Sequence, residues 1–333
     1  MVPRSGARDV DFVNPADRLI LGHMPFVGVS YQSGEMDEEY RKRFSDASEV
    51  ERVLDAAMRM GVRRFTAATP DSSPLAPLHL KVLRHLVDDG HKIELVPCIG
   101  LPLRIGGLGV DDYRRWATYL AVEEETHPGV RRRILEDPVL NFREGWVRRL
   151  LASKPYGDED FLGLTIDWAL IESRLEPFLD LPIAYMEPGS ETDFLAIAGR
   201  HDLIGELIDR MAERGFSRIL LGVHHAGVTI PRLDEGLGSF DGYVTPLNSI
   251  GVMMFPTKGS AEDAVRRTKK GVYAIKPLAG GRVEPREAFN YVFGLGVEGC
   301  MFGAGSVKET EEDIRAAVEV INDLGHGVGA RFG

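Results

Sequence analysis

The sequence predicts an α/β protein, a (β/α)8 TIM barrel with a helical insertion after the third strand. Three observations predict it. Short apolar runs rich in Val, Ile and Leu alternate with segments of helical spacing, the pattern of parallel β/α units. Eight such runs can be counted, and eight parallel strands close most simply into a barrel. Several runs end in polar or glycine-rich residues where a purely structural strand would stay apolar.

"RLILGHM" (18–24) is the first strand, and the polar loop after it leads to "SEVERVLDAAMRMG", a helix stopped by Gly61. "VRRFTAA" is the second strand, followed by the helix "LAPLHLKVLRHLVDDG", which Gly90 closes. "KIELVPCIG" is the third. From 101 to about 160 the rhythm breaks. Trp116, Trp146 and the run Arg131-Arg132-Arg133 lie in helical spacing without an obvious strand, so this stretch reads as an insertion, a lid over the barrel mouth or an oligomer arm. "FLGLTID" (161–167) and "LPIAYME" (181–187) compete for the fourth strand, and the second is preferred because a long helix, about 193 to 214, follows it. "SRILLGVHHAG", "FDGYVTPLN", "GVYAIKPLAGG" and "GVEGCMFGAGS" complete the count. The expected organisation is a tail at 1–17, a barrel over 18–323 including the insertion at about 101–160, and a tail at 324–333.

The 333 residues, 44% hydrophobic and 27% charged, suffice for one large core. A net charge of -11 argues against nucleic-acid or anionic-membrane partners and favours a small-molecule substrate. Two distant cysteines, Cys98 and Cys300, indicate a reducing compartment rather than a disulfide framework. There is no apolar run of spanning length, and the first residues lack the apolar core of a signal peptide, so a cytoplasmic protein is expected.

In a barrel the C-terminal ends of the strands surround the active site. That rule makes His23, Thr66 to Asp71, Cys98, Glu187 with Asp167 as its rival, His224, His225, Asn248, Lys276 and Gly303 to Ser306 the candidates. Of the adjacent histidines only one can easily face the mouth. A hydrogen-bonding or acid/base histidine and a divalent-metal ligand set with His23, Asp167 or Glu187 are both open. Asp71 in "ATPDSSP" reads either as a general base or as a helix cap. The glycine-rich turns of "KPLAGG" and "FGAGSVKETEEDI" together suggest an anion site after strands seven and eight.

Those two segments resemble the last two β/α units of the aldo-keto reductase superfamily. "ILLGVHHAG" is similar to that family's fifth strand, "FDGYVTPLN" to its sixth, and "LDAAMRMGVRRFTAATPD" to its passage into strand two. The resemblance implies a barrel that binds NAD(P) and reduces a carbonyl by hydride transfer. It implies cofactor contacts from Asn248, Lys276, Leu278, Gly280, Gly281, Gly303, Gly305, Ser306 and Asp313. Glu309 falls where an arginine often grips the 2'-phosphate, which favours NADH over NADPH, with Lys308 as the opposing charge. The family's catalytic tetrad does not carry over: its aspartate, tyrosine, lysine and histidine align with Thr66, Asp71, Cys98 and Glu187, and its strand-five Ser-Asn pair with His224-His225. The expected catalytic set is therefore Asp71, Glu187, His224, His225 and Lys276. Three functions follow as expectations: nicotinamide-dependent oxidoreduction of a small carbonyl, polyol or sugar with a non-standard proton donor; non-redox acid/base or metal-assisted chemistry as a lyase, isomerase or hydrolase; or a catalytically silent binding subunit.

Overall fold

The computed structural model describes residues 14–141 and 144–329. Eight parallel strands form the central sheet: β1 (Leu19–Leu21), β2 (Arg64–Ala68), β3 (Glu94–Ile99), β4 (Glu187–Pro188), β5 (Leu220–Gly222), β6 (Gly242–Pro246), β7 (Gly271–Ile275) and β8 (Gly299–Phe302). They are ordered β4-β3-β2-β1-β8-β7-β6-β5. The parallel bridge Met186↔Ile219 joins β4 to β5 and closes the ring, and Leu95↔Ile183 continues β3–β4 pairing upstream of Glu187. The fourth strand is thus drawn from "LPIAYME", as expected, and its rival contributes Leu164–Ile166 to a separate antiparallel sheet.

Alternation along the strands divides the core in two. Ile20, Val96, Ala184, Tyr185, Leu220, Val244, Tyr273 and Met301 point inward and fill the barrel, where Tyr273 donates to Tyr185 at 2.7 Å. The remaining apolar side chains pack the strands against the surrounding helices. Toward the C-terminal ends several of the next inward positions, Gly22, Cys98, Glu187, Gly222 and Gly303, are small or polar, and they open the barrel into a cavity.

The insertion is longer and less purely helical than the sequence suggested. Leu103–Ile105, Leu108–Gly109 and Leu164–Ile166 form a three-stranded antiparallel sheet around the helices Asp112–Thr126, Val130–Glu136, Pro138–Asn141 and Trp146–Ala152. It docks on the β5 and β6 side. Trp116 is buried against Trp146, His225 and Phe255, and Arg133 donates to the carbonyls of Gly251, Met254 and Pro256. The long helix expected at 193–214 is broken into Glu191–Ile197 and His201–Glu213 by Gly199, whose φ is +68°.

At the chain ends, the expected tail at 1–17 falls mostly outside the described residues, but Asn14 caps a 3-10 helix, Pro15–Arg18, with Ala16 buried. The last helix, Val307–Gly329, runs past the expected boundary at 323. Among the described residues no helix is long and apolar enough to cross a membrane.

Candidate active site

All eight strands contribute residues to one cavity of about 490 Å³, a size ordinary for a small-molecule site. Its floor is Val244 and Met301 from the barrel filling. Around the floor stand His23, Thr66, Cys98, Glu187, His224 and Lys276, and a branch runs along the β7 and β8 turns to Glu309 and Asp313.

Register explains why Cys98 and Glu187 meet. They are direct partners in the β3–β4 pairing, and side chains opposite one another in parallel neighbours share a face. The Cys98 thiol donates to Glu187 Oε2 at 2.6 Å. Burial raises the Glu187 carboxyl to about 7, against smaller lowering effects of the Cys98 hydrogen bond and the Lys276 charge. Burial, and then the neighbouring Glu187, hold the Cys98 thiol well above its ordinary value. Glu187 is therefore poised to exchange a proton near neutrality, whereas Cys98 remains a thiol.

The histidine pair divides as strand geometry demands. β5 ends at Gly222, and buried Asp193 fixes the turn by accepting the His224 N–H at 2.6 Å and the His225 N–H at 3.2 Å. His224 faces the cavity, where burial and the nearby Lys276 charge push it well below its ordinary value and keep it neutral. His225 points away, into the insertion. It meets Glu123 at 2.7 Å between Tyr119 and Phe255. Burial pulls His225 down, but Glu123 and Asp193 together outweigh it and the net shift is upward. His225 thus lies outside the cavity, in contact with the insertion.

Asp71 is likewise outside the cavity. Arg174 holds it at 2.7 Å; burial opposes ionisation, yet the Arg174 and Thr69 contacts leave its carboxyl below the usual range. Asp167, the rival for strand four, caps the helix Trp168–Leu175 and pairs with Arg104. His23 does line the cavity: Thr66 Oγ1 lies 2.7 Å from both its backbone nitrogen and its Nδ1, and burial, then Lys276, lower it to about 4. Among the described residues no three His, Cys, Asp or Glu side chains gather as a metal-ligand set, so His23, Glu187 and His224 do not form the metal site weighed from the sequence.

Lys276 and Tyr31 meet over the mouth. Tyr31, which the sequence left in an unassigned polar loop, lies 3.4 Å through its hydroxyl from Lys276 Nζ, and that nitrogen is 4.4 Å from the ring centroid. Both residues are in the left-handed region, φ 60° and 54°, which is costly for side chains with a Cβ. The "AGG" turn supplies the clasp. A Cβ on Gly280 would stand 2.6 Å from the Tyr31 carbonyl, and Arg282 donates to that carbonyl at 2.9 Å. Gly280 is thus required by the Tyr31 loop itself.

Among the residues expected to touch a cofactor, Lys276, Leu278, Gly280, Gly281, Gly303 and Asp313 line the cavity. Asn248, Gly305 and Ser306 do not. Asn248 is spent on Val252, exchanging two hydrogen bonds of 2.9 Å with its backbone. The Gly305 N–H donates to Glu309 at 2.7 Å, so a carboxylate of the chain itself occupies the anion position of that turn. Ser306 Oγ caps the Glu309 N–H at 3.2 Å. Asp313 is buried, has no hydrogen-bond partner among the described residues, and is raised to about 7 by burial and by Glu309 and Glu312.

No family model matches the sequence, and no curated protein matches it. Solved structures do match in fold. Two proteins from Pseudomonas aeruginosa, provisionally assigned as aldo-keto reductases, superpose with a TM-score of 0.52. One is 15% identical with 91% of each chain covered. The other is 17% identical, with 91% of this chain and 90% of its own covered. What the chain has in common with them is the fold, a (β/α)8 barrel of the aldo-keto reductase type.

Proposed function

We propose that the protein is an oxidoreductase of the aldo-keto reductase lineage, transferring hydride between a nicotinamide dinucleotide and a small polar carbonyl or alcohol, with Glu187 handling the proton. The observation that carries this reading is Glu187, raised to about 7 in a cavity that continues along the β7 and β8 turns. What supports a dinucleotide is the branch of the cavity along the β7 and β8 turns, lined by Gly281, Gly303 and Asp313, whose carboxyl suits a ribose hydroxyl. When bound, the dinucleotide supplies or accepts the hydride.

The chain's own residues do the rest. Protonated Glu187 gives its proton to the oxygen of a carbonyl being reduced, or ionised Glu187 takes one from an alcohol. Neutral His224 orients and polarises that oxygen, and the Lys276 ammonium holds the substrate in place. Thr66 fixes the His23 ring, and the barrel filling excludes water from below. Glu309, Glu312 and Asp313 repel a 2'-phosphate, so NADH is the preferred form. Fluorescence titration with NADH and NADPH tests this, with saturable NADH binding expected and no binding of either at millimolar levels opposing it.

A second reading keeps the acid/base pair without a cofactor. It is favoured by the Glu309 carboxylate on the Gly305 N–H and by the Tyr31 carbonyl on Gly280, both of which fill turn positions where phosphates would lie. Isomerase or lyase chemistry by Glu187 on a carbonyl substrate then remains.

A further inference from the structure

Lys276 is a cation that the protein has not neutralised. It is half-buried at the end of β7, and among the described residues its nitrogen makes no ion pair; its one hydrogen bond is the 3.4 Å contact with Tyr31. Other lysines that turn toward acids do so on the surface, as in Lys258–Glu262 and Lys308–Glu312. Enclosing a charge without a partner is costly, so the enclosure points to a partner that arrives from solution. The Lys276 charge acts on His23, Cys98, Glu187 and His224, which belong to four other strands and place it near the barrel axis. With both histidines neutral, this end of the cavity carries one excess positive charge whenever Glu187 is protonated.

We propose that Lys276 Nζ and Tyr31 Oη bind the carboxylate of a short oxo acid, leaving its carbonyl beside Glu187. The ammonium, from the end of β7, and the phenol, from the loop after β1, are two donors side by side at the mouth, matched to the two oxygens of one carboxylate. The strained Tyr31 backbone is held by the Gly280 and Arg282 clasp, so the phenol is placed beside Lys276 before any ligand arrives. Met24, Val29 and Ile275 give the adjoining wall an apolar surface for a short alkyl chain. In a chain of net charge -11, an anion gains nothing from the overall field and depends on this local site. The carbonyl part of the assignment rests on the acid/base reading of Glu187; the anion part does not depend on a cofactor.

Calorimetry on the full chain without cofactor tests it, at about pH 6 where Glu187 is mostly protonated. The probes are 2-oxo acids of three to six carbons, beginning with pyruvate and 2-oxoisovalerate, and their neutral amides. At least one acid is expected to bind about 10- to 100-fold more tightly than its amide, as for a charge-assisted hydrogen bond. K276M should lose that preference, with K276R retaining part of it. Equal affinity of acid and amide in the unaltered protein, no binding of any acid, or a preference that survives in folded K276M overturns the proposal. So does K276M weakening NADH while leaving the acids untouched, which would assign the lysine to a dinucleotide phosphate. Acid binding through Lys276 without any NADH binding upholds the proposal and removes only the redox reading.

Discussion

Replacing Glu187 by Gln separates the cost of a poised acid from its use. Burial moves the carboxyl from 4.5 to about 7, and at about 1.4 kcal/mol per pKa unit this is roughly 3 kcal/mol of linkage. The sign follows from the raised value. Folding stability from the neutral carboxyl is fully present below about pH 4.5, where both states are protonated. It is lost as pH rises to the folded-state midpoint, because the unfolded chain ionises first. The groups facing Glu187 are Cys98 from β3 and Lys276 from β7, and Cys98 stays a thiol throughout this window. The difference in unfolding free energy, E187Q minus wild type, should therefore grow by about 3 kcal/mol between about pH 4 and pH 8 in urea denaturation. Activity should move oppositely, with kcat/KM for carbonyl reduction falling about 10²- to 10⁴-fold in E187Q. A stability difference that is flat with pH would mean that Glu187 is not raised by burial.

The buried Glu123–His225 pair joins the insertion to the barrel, so E123Q should cost about 3–5 kcal/mol and speed hydrogen exchange in the helix Asp112–Thr126; an unchanged denaturation midpoint would oppose that role. Asp71→Asn should leave kcat/KM within about twofold and cost less than about 1 kcal/mol, since Asp71 is a partly exposed ion-pair partner; a large loss of turnover would restore it to the site. Gly280→Ala places a Cβ against the Tyr31 carbonyl at a φ of +67° and should cost about 1–3 kcal/mol while weakening oxo-acid binding, read by denaturation and calorimetry together. Glu309→Arg should improve NADPH relative to NADH by on the order of tenfold in paired fluorescence titrations.

The barrel was legible because its signals are local and repeated. Apolar runs, helical spacing and glycine stops recur at each β/α unit, and even the choice between "FLGLTID" and "LPIAYME" followed from what came after them. The insertion was less legible, since strands as short as Leu103–Ile105 and Leu108–Gly109 leave little periodicity to read. At the site, strand-end logic located Glu187, His224 and Lys276 in the cavity. It misplaced Asp71 and His225, because whether a polar residue faces a cavity or a distant Arg174 or Glu123 is decided by contacts 103 and 102 residues away in sequence. Asn248 looked like a cofactor ligand and is instead consumed by its own loop. Tyr31 was missed altogether: a tyrosine in "GVSYQSG" carries no periodic or motif signal, and its importance arises only when the β1 loop crosses to Gly280.

The chemistry proposed for this barrel turns on Glu187 as an acid poised near neutrality inside its mouth. Carbon-13 NMR of the protein labelled at Glu side-chain carboxyls, compared with E187Q to assign the resonance, measures this directly. The Glu187 titration midpoint is expected at about 7, rising further when an oxo acid is bound because a second negative charge then lies nearby. A midpoint near the ordinary glutamate value of about 4.3 would contradict it.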